Sequence, residues 1–217
     1  MAVAVVLALA MPLWGPAVLR QFAFFHVRRV EVHGVRLLDP QLVVDRMRVD
    51  TTRSVWDDLE VWERRVAGHP QVASVVVDRR LPGTLVVTVT EVVPVALVPS
   101  KDGFRAFDAT GRALPVAPDQ MPVDAPLVLR RDSLVLALLG RVRTDAPEVY
   151  ARISEVRRAG AAELVLTMGD LPVRAMAEVT PARLAEILPV ARDLDRRGLR
   201  AKELDLRYRD LVVARLR

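Results

Sequence analysis

Eighteen consecutive positions, Ala2 to Leu19, carry no charged side chain, and the pattern changes at Arg20. At about 1.5 Å per residue such a run covers about 27 Å as a helix, close to the roughly 30 Å hydrocarbon core of a bilayer. Phe22, Phe24 and Phe25 follow as aromatics suited to a membrane interface. A helix over 1–25 therefore reads as a transmembrane span, kinked near Pro12, Gly15 and Pro16. Two rival readings remain: Ala8-Leu9-Ala10 is a small-x-small triplet of the kind found at a signal-peptide cleavage site, and a shorter apolar helix fits a buried core.

Beyond the run the period changes. Val30 and Val32 alternate with Arg29, Glu31 and His33, which predicts a half-buried strand over 27–34. Asp39-Pro40 supplies an N-cap and an N1 proline for a short helix with Leu42, Val43 and Met47 on its apolar face. Ser54 predicts the cap of a second helix. There Val55, Leu59, Trp62 and Val66 form one stripe, Asp57-Asp58 fall in the first turn, and Gly68 stops it as a C′ residue. Ala73, Val75 and Val77, then Leu85, Val87 and Val89, alternate as two strands around the turn Leu81-Pro82-Gly83. Strand, helix, helix, strand, strand predicts a three-stranded sheet with both helices on one face.

From Pro94 prolines are frequent and apolar stretches short. Asp102-Gly103 and Asp108-Ala109-Thr110-Gly111 read as turns. Asp145 predicts the cap of a helix carrying Val149, Tyr150, Ile153 and Val156 and stopping at Gly160. Leu164, Leu166 and Met168, then Val173, Ala175 and Ala177, predict two strands. Thr180-Pro181 opens a last helix with Leu184, Ile187, Leu188, Ala191 and Leu194 on one face, kinked by Pro189 and ended by Gly198. Leu204, Leu206 and Tyr208 alternate with Asp205, Arg207 and Arg209 in a strand, and 211–216 forms a final one. The fold class is α+β, with a mixed β-rich second domain containing two helices.

Composition narrows function by exclusion. The chain has no cysteine, hence no disulfide framework and no thiolate chemistry. Its net charge of +5 comes from 30 Arg and 2 Lys against 27 acids. These arginines are scattered among acids and aromatics make up only 5%, so nucleic-acid binding is not expected. His26, His33 and His69 lack a second ligand at metal spacing, and no nucleophile elbow, phosphate loop or dinucleotide fingerprint occurs. Arg79-Arg80 reads as a solvated strand end. No enzyme, cofactor, metal or small-molecule substrate is expected; the pattern is that of a binding module. Arg20, Arg28 and Arg29 behind the run would by themselves put the bulk of the chain in the cytoplasm.

Several short patterns occur in one order: Phe25-x-Val27-x-x-Val30-x-Val32-x-Gly34, then His69-Pro70-x-Val72-x-x-Val75. Next comes Arg79-x-x-Pro82-x-Thr84-Leu85-x-Val87-x-Val89-x-Glu91-x-x-Pro94-Val95-Ala96. Asp108-x-x-Gly111 and Asp205-Leu206-Arg207-Tyr208 complete the set. With these motifs over about 190 residues, the chain resembles the bacterial cell-division family FtsQ/DivIB. The resemblance implies a transmembrane signal anchor over 1–25, a POTRA domain over 26–93 and an FtsQ-type β domain over 94–217. It implies a single-pass type II protein of the plasma (inner) membrane, its bulk extracytoplasmic or periplasmic, enriched at the division septum. That orientation goes against the arginine count. It implies a non-enzymatic scaffold and regulator that binds FtsB-like and FtsL-like coiled-coil proteins and other divisome membrane proteins, linking early components to septal peptidoglycan synthesis.

A terminal strand leaves one edge unpaired, and a partner strand adds to such an edge by β-augmentation. Carried over from the family, the contact falls on Arg207 and Tyr208, with Leu211, Val212, Val213 and Ala214 as the edge. The chain departs from the family at three places. No charged cytoplasmic tail precedes the run, which points to a shortened tail or a misassigned start. Val92 replaces a common arginine, and the Arg209-Asp210 turn lacks glycine. The competing function is a POTRA-type chaperone or binding module of an envelope protein-translocation system.

Overall fold

The computed structural model describes residues 15–116 and 123–216. Residues 15–19 are helical. The greater part of the predicted span, residues 1–14, lies outside the described residues. Among those described, no helix is long and apolar enough to cross a membrane. The chain divides into two compact units, one ending at Val92 and the other beginning at Val93.

The first unit follows the expected order: β1 (Arg29–His33), α1 (Pro40–Met47), α2 (Leu59–Ala67), β2 (Val72–Arg80) and β3 (Thr84–Glu91). The sheet order is β1-β3-β2, with β1 parallel to β3 and β2 antiparallel to it. Inward residues Val77, Leu85, Val87 and Val89 meet Val43, Met47, Trp62 and Val66 from the helices in one core. Asp39 caps α1 as expected, accepting the Gln41 N–H at 2.8 Å. Leu42, expected on the apolar face, is exposed; Val43 and Met47 carry the packing.

The second helix starts later than the apolar stripe suggested. Its cap is Asp58, which accepts the Glu60 N–H, and Ser54 lies four residues upstream. Ser54 forms a bridge with His26, donates to the Phe25 carbonyl and accepts the Trp56 N–H, so residues 54–57 are held out of helical geometry. Val55 is fully buried without being helical. Gly68 ends the helix at φ −67°, in the right-handed region rather than as a left-handed C′ residue. A bulge between Val72 and Ser74 turns Ala73 outward. Gly34 does need to be glycine: its φ is +82°, and a Cβ would meet the Val89 carbonyl oxygen at 2.1 Å. The loop after β1 is then tied to β3, because the Glu91 carboxylate accepts the N–H groups of Arg36, Leu37 and Leu38 at 2.9, 3.0 and 2.7 Å.

The strands of the second unit are β4 (Ala96–Ser100), β5 (Gly103–Phe107), β6 (Leu127–Val128), β7 (Ile153–Arg158), β8 (Glu163–Met168), β9 (Leu171–Met176), β10 (Ala201–Asp205) and β11 (Val213–Leu216). Among the described residues they form one eight-stranded sheet of order β11-β10-β9-β8-β7-β6-β4-β5. The helices are α3 (Ser133–Asp145), α4 (Pro147–Tyr150), α5 (Pro181–Ala185) and α6 (Ile187–Arg196). Strand register places Val156, Leu166, Val173, Leu204 and Ala214 in one row across the sheet. That row packs with Leu136, Leu139, Val149, Leu184 and Ile187 from the helices. The opposite face carries the row Arg157, Val165, Arg174, Asp205 and Val213.

Three expectations for this unit are corrected. Among the described residues it has four helical segments rather than two, and α3 is the unexpected one. The stretch Leu134 to Leu139 is apolar at every position, which masks its buried stripe; Asp132 caps the helix by accepting the Leu134 and Val135 N–H groups. Asp132 also pairs with Arg158 on β7 at 2.5 Å, which joins the helix start to the sheet. The helix expected over 145–160 is helical only at Pro147–Tyr150; Ile153 and Val156 belong to β7, between β6 and β8. Their i, i+3 spacing is helical, and a bulge between Ile153 and Glu155 lets both stay buried once the strand pairs with β8. The last helix is in two pieces, broken at Glu186. Pro189 has no N–H to give the carbonyl four residues back, at Ala185, and that is where α5 ends.

Candidate partner-binding edge

The strand expected to run through Tyr208 stops at Asp205, which is 2% exposed. The Asp205 carboxylate accepts the backbone N–H of Arg207 at 3.0 Å and its guanidinium at 2.6 and 2.9 Å, which turns the chain out of β10. Arg207 Nη1 reaches Glu163 Oε1 on β8 at 2.8 Å. The hydrogen bonds from Arg207 hold the Asp205 carboxyl below its usual range, with burial acting the other way. Beside this pair, Arg174 Nε donates to Glu203 at 2.9 Å, and Arg215 lies 3.6 Å from the same carboxylate. The outer sheet face is thus crossed by a ladder of opposite charges. Val165, in register between Arg157 and Arg174, is 3% exposed on that face, as expected where arginine stems lie over an apolar residue.

Residues 206–212 connect β10 to β11. Arg183 on α5 holds both sides of this loop, its Nη2 donating to the Tyr208 carbonyl at 2.7 Å and the Leu211 carbonyl at 2.9 Å. Its Nη1 pairs with Glu186. With the backbone fixed from inside, Tyr208 and Leu211 face solvent at 55% and 66% exposure. Val213 is exposed as well, whereas Val212 and Ala214 pack against the core.

β11 pairs antiparallel with β10, Val213 opposite Asp205 and Ala214 opposite Leu204. Among the described residues no strand pairs with its other edge. At the far end of the sheet β5 is partly covered, because Leu114 N–H donates to Ala106 and Phe107 bridges Ala113.

The six residues singled out in the sequence therefore fall into two groups. Tyr208, Leu211 and Val213 are presented outward. Arg207, Val212 and Ala214 are engaged by the chain itself, and the edge strand begins at Val213 rather than Leu211. Sequence reasoning missed Arg183 and Glu163. One lies in the first turn of a helix and the other opens a strand, and no spacing links either to the loop they support.

Elsewhere, Arg79 and Arg80 are exposed at the end of β2 as expected, and Arg79 is also tied into the unit. Its guanidinium donates to the Val55 and Asp57 carbonyls and lies 5.7 Å from the centre of the Trp56 ring, and Arg80 pairs with Glu31. Among the described residues, no group of three or more His, Cys, Asp or Glu is placed to hold a metal ion.

The first unit has the strand-helix-helix-strand-strand order of a POTRA domain, and it is followed by a second unit built on one larger sheet. Residues 25–91 match the family model for the POTRA domain, FtsQ-type. The cell division protein FtsQ of Rhodothermus marinus is 30% identical over 209 residues, covering 86% of this chain and 76% of that protein. FtsQ of Myxococcus fulvus is 26% identical over 223 residues, covering 93% of this chain and 78% of the relative. A solved structure, the major extracytoplasmic domain of the cell division protein DivIB from Geobacillus stearothermophilus, is also similar. It is 23% identical with a TM-score of 0.36, over 49% of this chain and 97% of that one. The chain belongs to the FtsQ/DivIB family of bacterial cell-division proteins.

Proposed function

We propose that the chain is a non-enzymatic scaffold and regulator of the divisome that takes up a strand of a partner protein along β11. The partner is an FtsB-like coiled-coil division protein, held beside an FtsL-like one. In this reading residues 1–25 are the membrane anchor, 26–93 the POTRA domain and 94–217 the FtsQ-type β domain. The anchor places the bulk of the chain outside the cytoplasm at the septum. The observation that carries the reading is the free edge of β11, next to a loop that presents Tyr208 and Leu211 to solvent. An unpaired edge supplies main-chain hydrogen bonds, and exposed aromatic and aliphatic side chains beside it supply choice of partner.

Binding of a fluorescent peptide from an FtsB-like protein tests it. Tyr208→Ala and Leu211→Ala each remove an outward contact, at side chains 55% and 66% exposed, without touching the core. Each is expected to weaken binding by about 1–2 kcal/mol, roughly tenfold. Unchanged affinity in both variants, with native circular dichroism, would sink the edge-strand mechanism.

A further inference from the structure

One end of the first unit gathers exposed apolar and basic side chains from three distant stretches of sequence. Phe22 and Phe24 are 54% and 60% exposed on the segment that follows the uncharged run, and Leu81 is 52% exposed in the β2–β3 turn. These are brought together by the backbone: the N–H groups of Arg28 and Arg29 donate to the Gly83 carbonyl, and Val27 N–H donates to the Arg53 carbonyl. Arg28 donates to the Phe24 carbonyl at 2.9 Å and lies 5.8 Å from the centre of its ring. Arg20, Arg29, Arg53 and Arg80 stand at the same end, and with Arg28 these five arginines outnumber its four acids, Glu31, Asp50, Asp57 and Asp58.

The segment leading into this end is not a loose tether. Arg20 Nε donates to the Trp56 carbonyl at 2.8 Å and lies 3.7 Å from Asp57. The Phe25 carbonyl accepts the Val55 N–H, and the Phe25 ring meets Trp56 edge-on at 6.0 Å. Residues 20–27 are therefore fastened to the body of the unit.

We infer that this end is a docking platform for an anionic lipid surface, with Phe22, Phe24 and Leu81 entering the interface and the arginines meeting headgroups. The inference rests on the reading of 1–25 as a membrane anchor, and it adds that the first unit sits directly on the bilayer in a fixed attitude. Continuity with the uncharged run and the excess of arginine select lipid as the occupant. Aromatic and aliphatic tips flanked by arginine are the composition that binds anionic interfaces.

The absence of cysteine makes the test clean. Single variants Leu81→Cys, Phe22→Cys and Val76→Cys of the full chain are labelled with an environment-sensitive fluorophore. They are reconstituted into phosphatidylcholine vesicles with or without phosphatidylglycerol. Val76, 52% exposed in the middle of β2, reports the solvent-facing surface of the same unit.

The expected result is blue-shifted emission, quenched by brominated lipid, at both 22 and 81 in the anionic vesicles, with neither effect at 76. The signal at 81 is lost with Arg28→Glu, and also near 1 M salt, where screening reaches about 3 Å. A probe at 81 as water-exposed as that at 76, while 22 remains in lipid, overturns the platform and leaves the anchor standing. Water exposure at both 22 and 81 overturns the platform and the anchor together.

Discussion

Replacing Arg183 by alanine removes the one side chain seen to hold the β10–β11 loop from the helix side. Arg183 is only 17% exposed and makes two charge-assisted bonds, to the Tyr208 carbonyl at 2.7 Å and the Leu211 carbonyl at 2.9 Å. Hydrogen bonds to a charged group contribute about 1.5–3 kcal/mol each when buried. Here the acceptors belong to exposed residues, so water takes over much of the bonding once the guanidinium is gone. The pairing with Glu186 adds only about 0.3–0.5 kcal/mol, because Glu186 is 53% exposed. A net loss of about 1–2 kcal/mol is expected, which lowers the melting temperature of a unit this size by about 3–8 °C.

The local effect should exceed the global one. Hydrogen exchange at amides 206–212 is expected to accelerate by about tenfold or more, matching 1.4 kcal/mol, while amides of β8 and β9 change only with global stability. Glu186→Gln separates the contributions: it removes the ion pair, keeps both carbonyl bonds and should leave loop exchange near that of the parent. If Arg183→Ala melts with the parent and its loop amides keep their protection, Arg183 does not organise the loop, and the account of why Tyr208 and Leu211 stand outward fails.

Two further outcomes follow from the second unit. Leu136→Ala on α3 should lower unfolding free energy by about 2.5–5 kcal/mol in a denaturant titration, whereas Leu134→Ala should change it by less than about 0.5 kcal/mol. Leu136 is fully buried and Leu134 is 64% exposed, so equal effects would contradict the face assigned to that helix. Asp205 and Asp132 both have carboxyl groups lowered, chiefly by hydrogen bonds from Arg207 and Arg158. A lowered native pKa gives stability that is complete above the unfolded value near 3.9 and lost as pH falls through the folded one. Thermal melts should therefore decline below about pH 4, and Asp205→Asn should flatten part of that slope.

Much of the first unit was legible because its signals are local. Asp39-Pro40 caps a helix through its own next turn, and Leu85, Val87 and Val89 alternate because one sheet face is buried. The start of α2 was misplaced for a non-local reason: Ser54 is taken by Phe25 and His26, nearly thirty residues earlier. In the second unit, α3 was hidden because its unbroken apolar run over 134–139 masks the buried stripe of Val135, Leu138, Leu139 and Val142. The strand β7 was read as helix because Val149, Tyr150, Ile153 and Val156 satisfy helical spacing until β6 and β8 pair on either side.

The candidate site divides the same way. Its place in the chain, the Asp205 to Tyr208 motif and the apolar stretch behind it, could be read from residue order, as could the α+β class, the hairpin and the family resemblance. These depend on short-range chemistry: caps, turns and alternation that act within a few residues. Which residues face outward depended on the tertiary structure. Arg207 is turned inward by Asp205 and Glu163, the latter 44 residues away, and the loop is pinned by Arg183, 25 and 28 residues from its acceptors. Side chains that meet only after the sheet and helices have packed leave no spacing in the sequence, so the exposed Tyr208, Leu211 and Val213 are set by packing rather than by pattern.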